Sequence, residues 1–150
     1  MIICPLQVAH PLWPSCVEKG LLLSCREATT LPHILIVDDD QQVLKFLARN
    51  FTRAGYEVST AATAFDAMAS RAMRTFDLVL SDVDMPKMNG HELARWIAGN
   101  HPRIRCVLMS GSSPECDECP LAGRCLLLRK PFVPRLAIAT VASVLSERPN

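Results

Sequence analysis

His33-Ile34-Leu35-Ile36-Val37-Asp38-Asp39 decides the fold: a short, uninterrupted β-branched and leucine run ends abruptly in two carboxylates. Strands buried on both faces read as continuous apolar runs, as they do in parallel sheets covered by helices. The same grammar recurs three times. Leu78-Val79-Leu80 leads through Ser81 to Asp82, Val107-Leu108-Met109 leads to Ser110, and Leu126-Leu127-Leu128 leads through Arg129 to Lys130. In open α/β sheets ligands bind beyond the carboxyl ends of the strands, so these ends would deliver carboxylates, a hydroxyl and an ammonium to one spot. Crowded carboxylates repel unless a cation joins them, and hard oxygen donors suit Mg²⁺. The pattern therefore points to phosphate chemistry.

Between these runs the period changes. Val43, Leu44, Leu47, Ala48 and Phe51 fall at helical spacing, with Gly55 as the stop. Tyr56 to Ala61 reads as a second strand. Thr63 with Asp66 is a capping-box pair that opens a helix whose buried stripe is expected at Phe65, Met68, Ala69 and Ala72. Phe76 to Ser81 is the third strand. Asn89 with Glu92 caps a helix carrying Leu93, Trp96 and Ile97, expected to stop at Gly99-Asn100. Ile104 to Met109 and Leu126 to Arg129 are the fourth and fifth strands. Pro134 opens a last helix with Ile138, Val141, Ala142 and Leu145 as its apolar stripe. Repeated βα units predict an α/β doubly wound parallel sheet.

Composition bounds the function. The chain has 150 residues, 49% hydrophobic, enough for one domain with a substantial core. A net charge of +1 without a basic run gives no footprint for binding nucleic acid by itself. No apolar stretch approaches a membrane span or a signal-peptide core, so no membrane contact and a cytoplasmic location are expected. Residues 1–30 differ from the rest. Pro5, Pro11, Pro14 and Gly20 break any period, and they are expected to form a poorly ordered extension ahead of a domain over 31–150.

Asp38-Asp39, the string Ser81-Asp82-Val83-Asp84-Met85-Pro86-Lys87-Met88-Asn89-Gly90, Ser110-Gly111 and Lys130-Pro131-Phe132 together resemble the receiver domain of two-component response regulators, over about residues 32 to 148. The resemblance implies a flavodoxin-like five-stranded sheet of order 2-1-3-4-5. It makes Asp82 the phosphoacceptor for a phosphoryl group held on a histidine of a sensor kinase or phosphotransfer protein. Asp39, Asp82 and the backbone carbonyl of Asp84 would hold Mg²⁺, with Asp38 in support. Lys130, aimed by a cis bond to Pro131, and Ser110 would bind the phosphoryl oxygens. The side chain of Asp84 would tune the lifetime of the phosphoryl group at the pocket mouth. Such a domain is a phosphorylation switch rather than a classical enzyme. After Phe132 the sequence leaves room for one helix and a short tail, so the expected output runs through a downstream protein partner.

Two other classes share some of these residues. Asp82-Val83-Asp84 also resembles the nucleophile motif of haloacid-dehalogenase-type phosphatases, but there the acidic pair follows the nucleophile, whereas Asp38-Asp39 precede Asp82. A pseudo-receiver scaffold, docking a partner through Cys116 to Cys125, is the alternative that needs no phosphorylation.

Two departures mark the chain. Leu127 stands three positions before Lys130, where many receivers carry an aromatic residue that takes part in switching. The stretch from Gly111 to Arg124 is short for a helix and holds Pro114 and Pro120, so the fourth helix is expected to be irregular. It also carries Cys116 and Cys119, with Cys125 following. These three thiols suit Zn²⁺ or an iron–sulfur centre with a fourth ligand from Cys106, an acid or a partner; redox response and plain packing are the other readings. His33, His91 and His101 have no ligand spacing and read as surface or capping residues, while Trp96, Met68 and Met73 read as core.

Overall fold

The computed structural model describes residues 30–112 and 125–147. Five parallel strands form one sheet in the order β2-β1-β3-β4-β5. They are β1 (His33–Val37), β2 (Glu57–Ala61), β3 (Leu78–Asp82), β4 (Arg105–Ser110) and β5 (Cys125–Arg129). The described helices are α1 (Gln41–Arg53), α2 (Ala64–Ala69), α3 (Gly90–Asn100) and α4 (Pro134–Ser146), with a 3-10 turn at Met73–Thr75. The flavodoxin-like order expected from the sequence is the order found. The N-terminal extension, apart from Thr30, and the connection 113–124 with its expected irregular helix lie outside the described residues.

Alternation along the strands divides the core into two layers. Ile34 and Ile36 of β1, Leu78 and Leu80 of β3, and Val107 and Met109 of β4 face α1 and α4, where Leu44, Leu47, Phe51, Ala137 and Val141 meet them. Leu35, Val37, Val79, Cys106 and Leu108 face the other way, against Ala64, Ala67, Leu93, Ala94 and Ile97. Period two in the strands thus feeds both helical layers, which explains why no polar residue interrupts the runs.

The helix ends follow their capping chemistry. The Asp40 carboxylate accepts from the Gln42 backbone N–H at 2.7 Å and starts α1. Gly55, at φ +91°, ends it, in the left-handed region that favours glycine. At α3 the Asn89 side chain accepts from the Glu92 N–H while Glu92 accepts from the Asn89 N–H, both at 2.9 Å, a complete capping box. Only half of that box forms at α2. The Thr63 hydroxyl accepts from the Asp66 N–H, then donates to the Asp66 carboxylate instead of leaving it to reach back to the cap's backbone.

Two expectations are corrected, the buried faces of α2 and α4. The buried face of α2 is Ala64 and Ala67, with Met68 half-buried; Phe65 is 51% exposed and Ala69 is exposed. Small side chains let this short helix lie close to the sheet, and the larger aromatic is turned outward. α3 ends within the expected Gly99-Asn100 stop: Asn100 is its last residue, and the His101 N–H bonds to the Ile97 carbonyl at 2.7 Å. In α4 the fully packed positions are Ala137, Val141 and Val144, Ile138 and Leu145 flank them, and Ala142 is exposed.

At the end of the sheet away from the carboxylates, His33 ties neighbouring elements together. Its Nε2 lies 2.9 Å from the Ser59 hydroxyl and its Nδ1 3.3 Å from the Thr75 hydroxyl, while its backbone N–H donates to Asp77 at 2.8 Å. The ring packs edge-on to Phe76.

Candidate functional site

Parallel register brings the strand ends together. Val37 pairs with Ser81, Asp82 with Met109 and Ser110 with Arg129, so Asp38, Asp82, Ser110 and Lys130 converge beyond adjacent strands. Asp38, Ser110 and Asp82 are buried, at 1%, 1% and 5% exposure. Asp39 is exposed on the loop that opens α1.

The Lys130 ammonium joins the acids. Its Nζ donates to Asp38 Oδ2 and to Asp82 Oδ1, each at 2.9 Å. The Lys130–Pro131 bond is cis, as the motif implied. The other Asp38 oxygen accepts from the Asp40 N–H at 2.9 Å, which fixes that carboxylate at the mouth of α1. Burial pushes the Asp82 carboxyl above the ordinary range; the hydrogen bond and charge of Lys130 pull it back only in part, and Asp38 and Asp84 add to the rise. Burial lowers the Lys130 ammonium, but its bonds to Asp82 and Asp38 and their charges outweigh that, leaving it above its usual value.

One oxygen from each of Asp38, Asp39 and Asp82 lies within 4.8 Å of the others. That spacing of hard donors, two buried and one facing solvent, fits a small divalent cation that keeps part of its water shell. The three acids are the ones the sequence singled out.

Asp84 and Ser110 are joined through a third residue, Ser112. The exposed Asp84 carboxylate accepts from the Ser112 hydroxyl at 3.0 and 3.1 Å, and the Ser110 hydroxyl lies 3.5 Å from it. The Ser112 N–H in turn donates to the Ser110 hydroxyl at 3.3 Å. The acid after Asp82 is thus linked to the loop after β4. Ser112 was not legible as part of the site, because Ser110-Gly111-Ser112-Ser113 reads as an ordinary polar loop. Lys87, at φ +70°, carries the turn of the β3–α3 loop in a conformation that non-glycine residues seldom adopt. Leu127 is half-buried against the core layer that holds Leu108. Cys116 and Cys119 lie outside the described residues; Cys125 opens β5, in register with Cys106 on β4. Among the described residues, Asp38, Asp39 and Asp82 are the one group of three or more metal-ligating side chains close enough to share a metal ion.

The fold and this pocket define a phosphorylation-switch domain. Residues 34–142 match the family model of the response regulator receiver domain, and the chain belongs to that family. It is 32% identical over 117 residues to the transcriptional regulatory protein GltR of Pseudomonas aeruginosa, covering 75% of this chain and 48% of GltR. It is 33% identical over 121 residues to the transcriptional regulatory protein PrrA of Mycobacterium tuberculosis, covering 79% and 52%. The chain therefore spans about half the length of these relatives. Among solved structures, the Vibrio cholerae chemotaxis protein CheY4 superposes with a TM-score of 0.69 at 30% identity, covering 76% of this chain and 98% of that one. A CheY-like receiver domain from Methanospirillum hungatei gives 0.69 at 31% identity, covering 77% and 94%. Receiver domains are switches that bind Mg²⁺ at an acidic cluster and interact with histidine kinases or phosphotransfer proteins and with downstream effectors.

Proposed function

We propose that this chain accepts a phosphoryl group on Asp82 from a phosphohistidine of a sensor kinase or phosphotransfer protein, and that it signals through a partner protein in the cytoplasm. The observation that carries this reading is the buried Asp82 carboxylate, held by Lys130 at 2.9 Å beside Asp38 and Asp39 at the strand ends. In the transfer an Asp82 oxygen forms a bond to phosphorus as the phosphorus–nitrogen bond to the donor imidazole breaks, and the imidazole leaves with its electron pair and takes up a proton. Asp39, Asp82 and the Asp84 backbone carbonyl, with Asp38 in support, would hold Mg²⁺, which would supply neutralising charge for the acids and the incoming oxygens. Lys130 is already placed on Asp82 and balances the charge that arrives with the phosphoryl group. Ser110, at the next strand end, donates its hydroxyl to a phosphoryl oxygen. The scaffold alternative gives no reason for a lysine to be held between two buried carboxylates, whose desolvation is costly unless the charges are used or matched.

Intact-mass analysis after incubation with acetyl phosphate, with and without Mg²⁺, tests the proposal. A Mg²⁺-dependent gain of one phosphoryl group that Asp82→Asn abolishes is expected. No gain, under conditions that modify another receiver domain, overturns it.

A further inference from the structure

The described structure holds Asp82 from behind as well as from the pocket. The Asp82 carbonyl accepts from the buried Ser81 hydroxyl at 3.0 Å. The next residue is pinned on both sides: the Val83 N–H donates to Met109 of β4 at 2.8 Å, and the Val83 carbonyl accepts from the Gly90 N–H at 3.0 Å. Gly90 is the first residue of α3, inside the Asn89–Glu92 capping box, and it is buried. A Cβ on Gly90 would overlap the Asp82 carbonyl oxygen outright and lie 3.0 Å from both the Asp82 carbonyl carbon and the Val83 Cα. All of these are backbone atoms, so no side-chain rotation relieves the clash. Gly99, in the same helix, has nothing within 4 Å of the corresponding position.

We propose that Gly90 and Ser81 are positioning residues for Asp82: the bare first turn of α3 seats against the Asp82–Val83 peptide, and the Ser81 hydroxyl fixes its carbonyl, so that the carboxylate is held at the attacking geometry. The inference rests on the reading of Asp82 as the phosphoacceptor. The Gly90 N–H and the missing Cβ act together, since the N–H···O bond to Val83 brings the helix close enough for any side chain to collide. Gly90→Ala must separate α3 from the β3 end or rotate the Asp82–Val83 peptide. Either movement shifts the Asp82 carboxylate relative to Lys130 and Asp38, which are fixed by β5 and β1 rather than by α3. Misplacement of a reacting group by about 1 Å costs on the order of 100-fold in rate.

The test compares the full chain with Gly90→Ala, Gly99→Ala and Ile97→Ala. Initial rates of phosphorylation by acetyl phosphate are read by intact mass at saturating Mg²⁺, at a temperature where each variant is fully folded by circular dichroism. Ile97 is fully buried in α3, so Ile97→Ala reports what destabilising the helix does without touching Asp82. Gly90→Ala is expected to lose about tenfold or more in initial rate, while Gly99→Ala and Ile97→Ala keep the wild-type rate. A folded Gly90→Ala chain that reacts at the wild-type rate, or an Ile97→Ala chain that loses as much, overturns the inference. Should Gly90→Ala fail to fold, Ser81→Ala decides: a rate reduced several-fold supports the anchoring of this carbonyl, and an unchanged rate overturns it. A wild-type chain that takes no phosphoryl group fails the functional reading first and this inference with it, an outcome distinct from failure of the variant comparison.

Discussion

Lys130→Met removes the ammonium that joins two carboxylates while keeping most of the side chain's length and apolar stem. The structure sets the magnitude. Two charge-assisted bonds of 2.9 Å are lost to carboxylates whose side chains are 1% and 7% exposed, and breaking a buried pair by removing one partner costs about 3–5 kcal/mol. Lys130 itself is 28% exposed, so water can reach the vacated position, which puts the expected loss near the lower limit, about 3 kcal/mol. The pH dependence has a definite sign. Burial already raises Asp82 in the folded chain, and Lys130 opposes that rise. Without the lysine the folded-state value climbs further above the unfolded one, so charged Asp82 opposes folding at neutral pH and this penalty fades as pH falls through the folded-state value. Urea unfolding followed by circular dichroism in EDTA, near pH 7 and near pH 5, measures both effects. The variant should be closer to wild type at the lower pH, and adding Asp82→Asn at neutral pH should recover about 1 kcal/mol or more of the loss. A Lys130→Met chain within about 0.5 kcal/mol of wild type near pH 7, or a deficit that grows on acidification, refutes the reasoning.

The metal site, the core and a helix end can each be probed by one substitution. Asp39 is exposed, so Asp39→Asn should leave stability in EDTA within about 0.5 kcal/mol of wild type while abolishing most of the rise in melting temperature produced by Mg²⁺, read by a thermal titration. Phe51 is fully buried between α1 and the sheet, and Phe51→Ala should cost about 3–5 kcal/mol in denaturant unfolding; a loss under about 1 kcal/mol would show that the layer is not packed as described. Gly55→Ala places a Cβ at φ +91° and should cost about 1 kcal/mol although it meets no neighbour, so an unchanged urea midpoint would count against the helix-stop conformation.

The site was legible because its residues punctuate apolar runs. Asp38, Asp82, Ser110 and Lys130 each follow a stretch that has no other reason to end in a polar group, and parallel pairing turns that punctuation into proximity. Helix faces were less legible where apolar residues differ in size rather than in polarity. On α2 a count of apolar positions favours Phe65, yet the close approach of a short helix selects Ala64 and Ala67. Backbone proximity left no mark at all: Gly90 stands in a motif string, but the Asp82 carbonyl that occupies the space its side chain would need is brought there only by the fold. The Ser112–Asp84 bond was hidden for a related reason, since it joins two loops that sequence reads as independent.

His33, at the opposite end of the sheet, has a proton inventory of its own. The Thr75 hydroxyl spends its single hydrogen on the Ala72 carbonyl at 2.7 Å, so toward the imidazole it can only accept. Nδ1 must therefore carry the ring proton, and Nε2 of the neutral ring accepts from the Ser59 hydroxyl. The sheet's far end is thus pinned by one imidazole that donates toward the Thr75 turn and accepts from β2, a neutral counterpart to the charged bonds of Lys130 that hold the pocket.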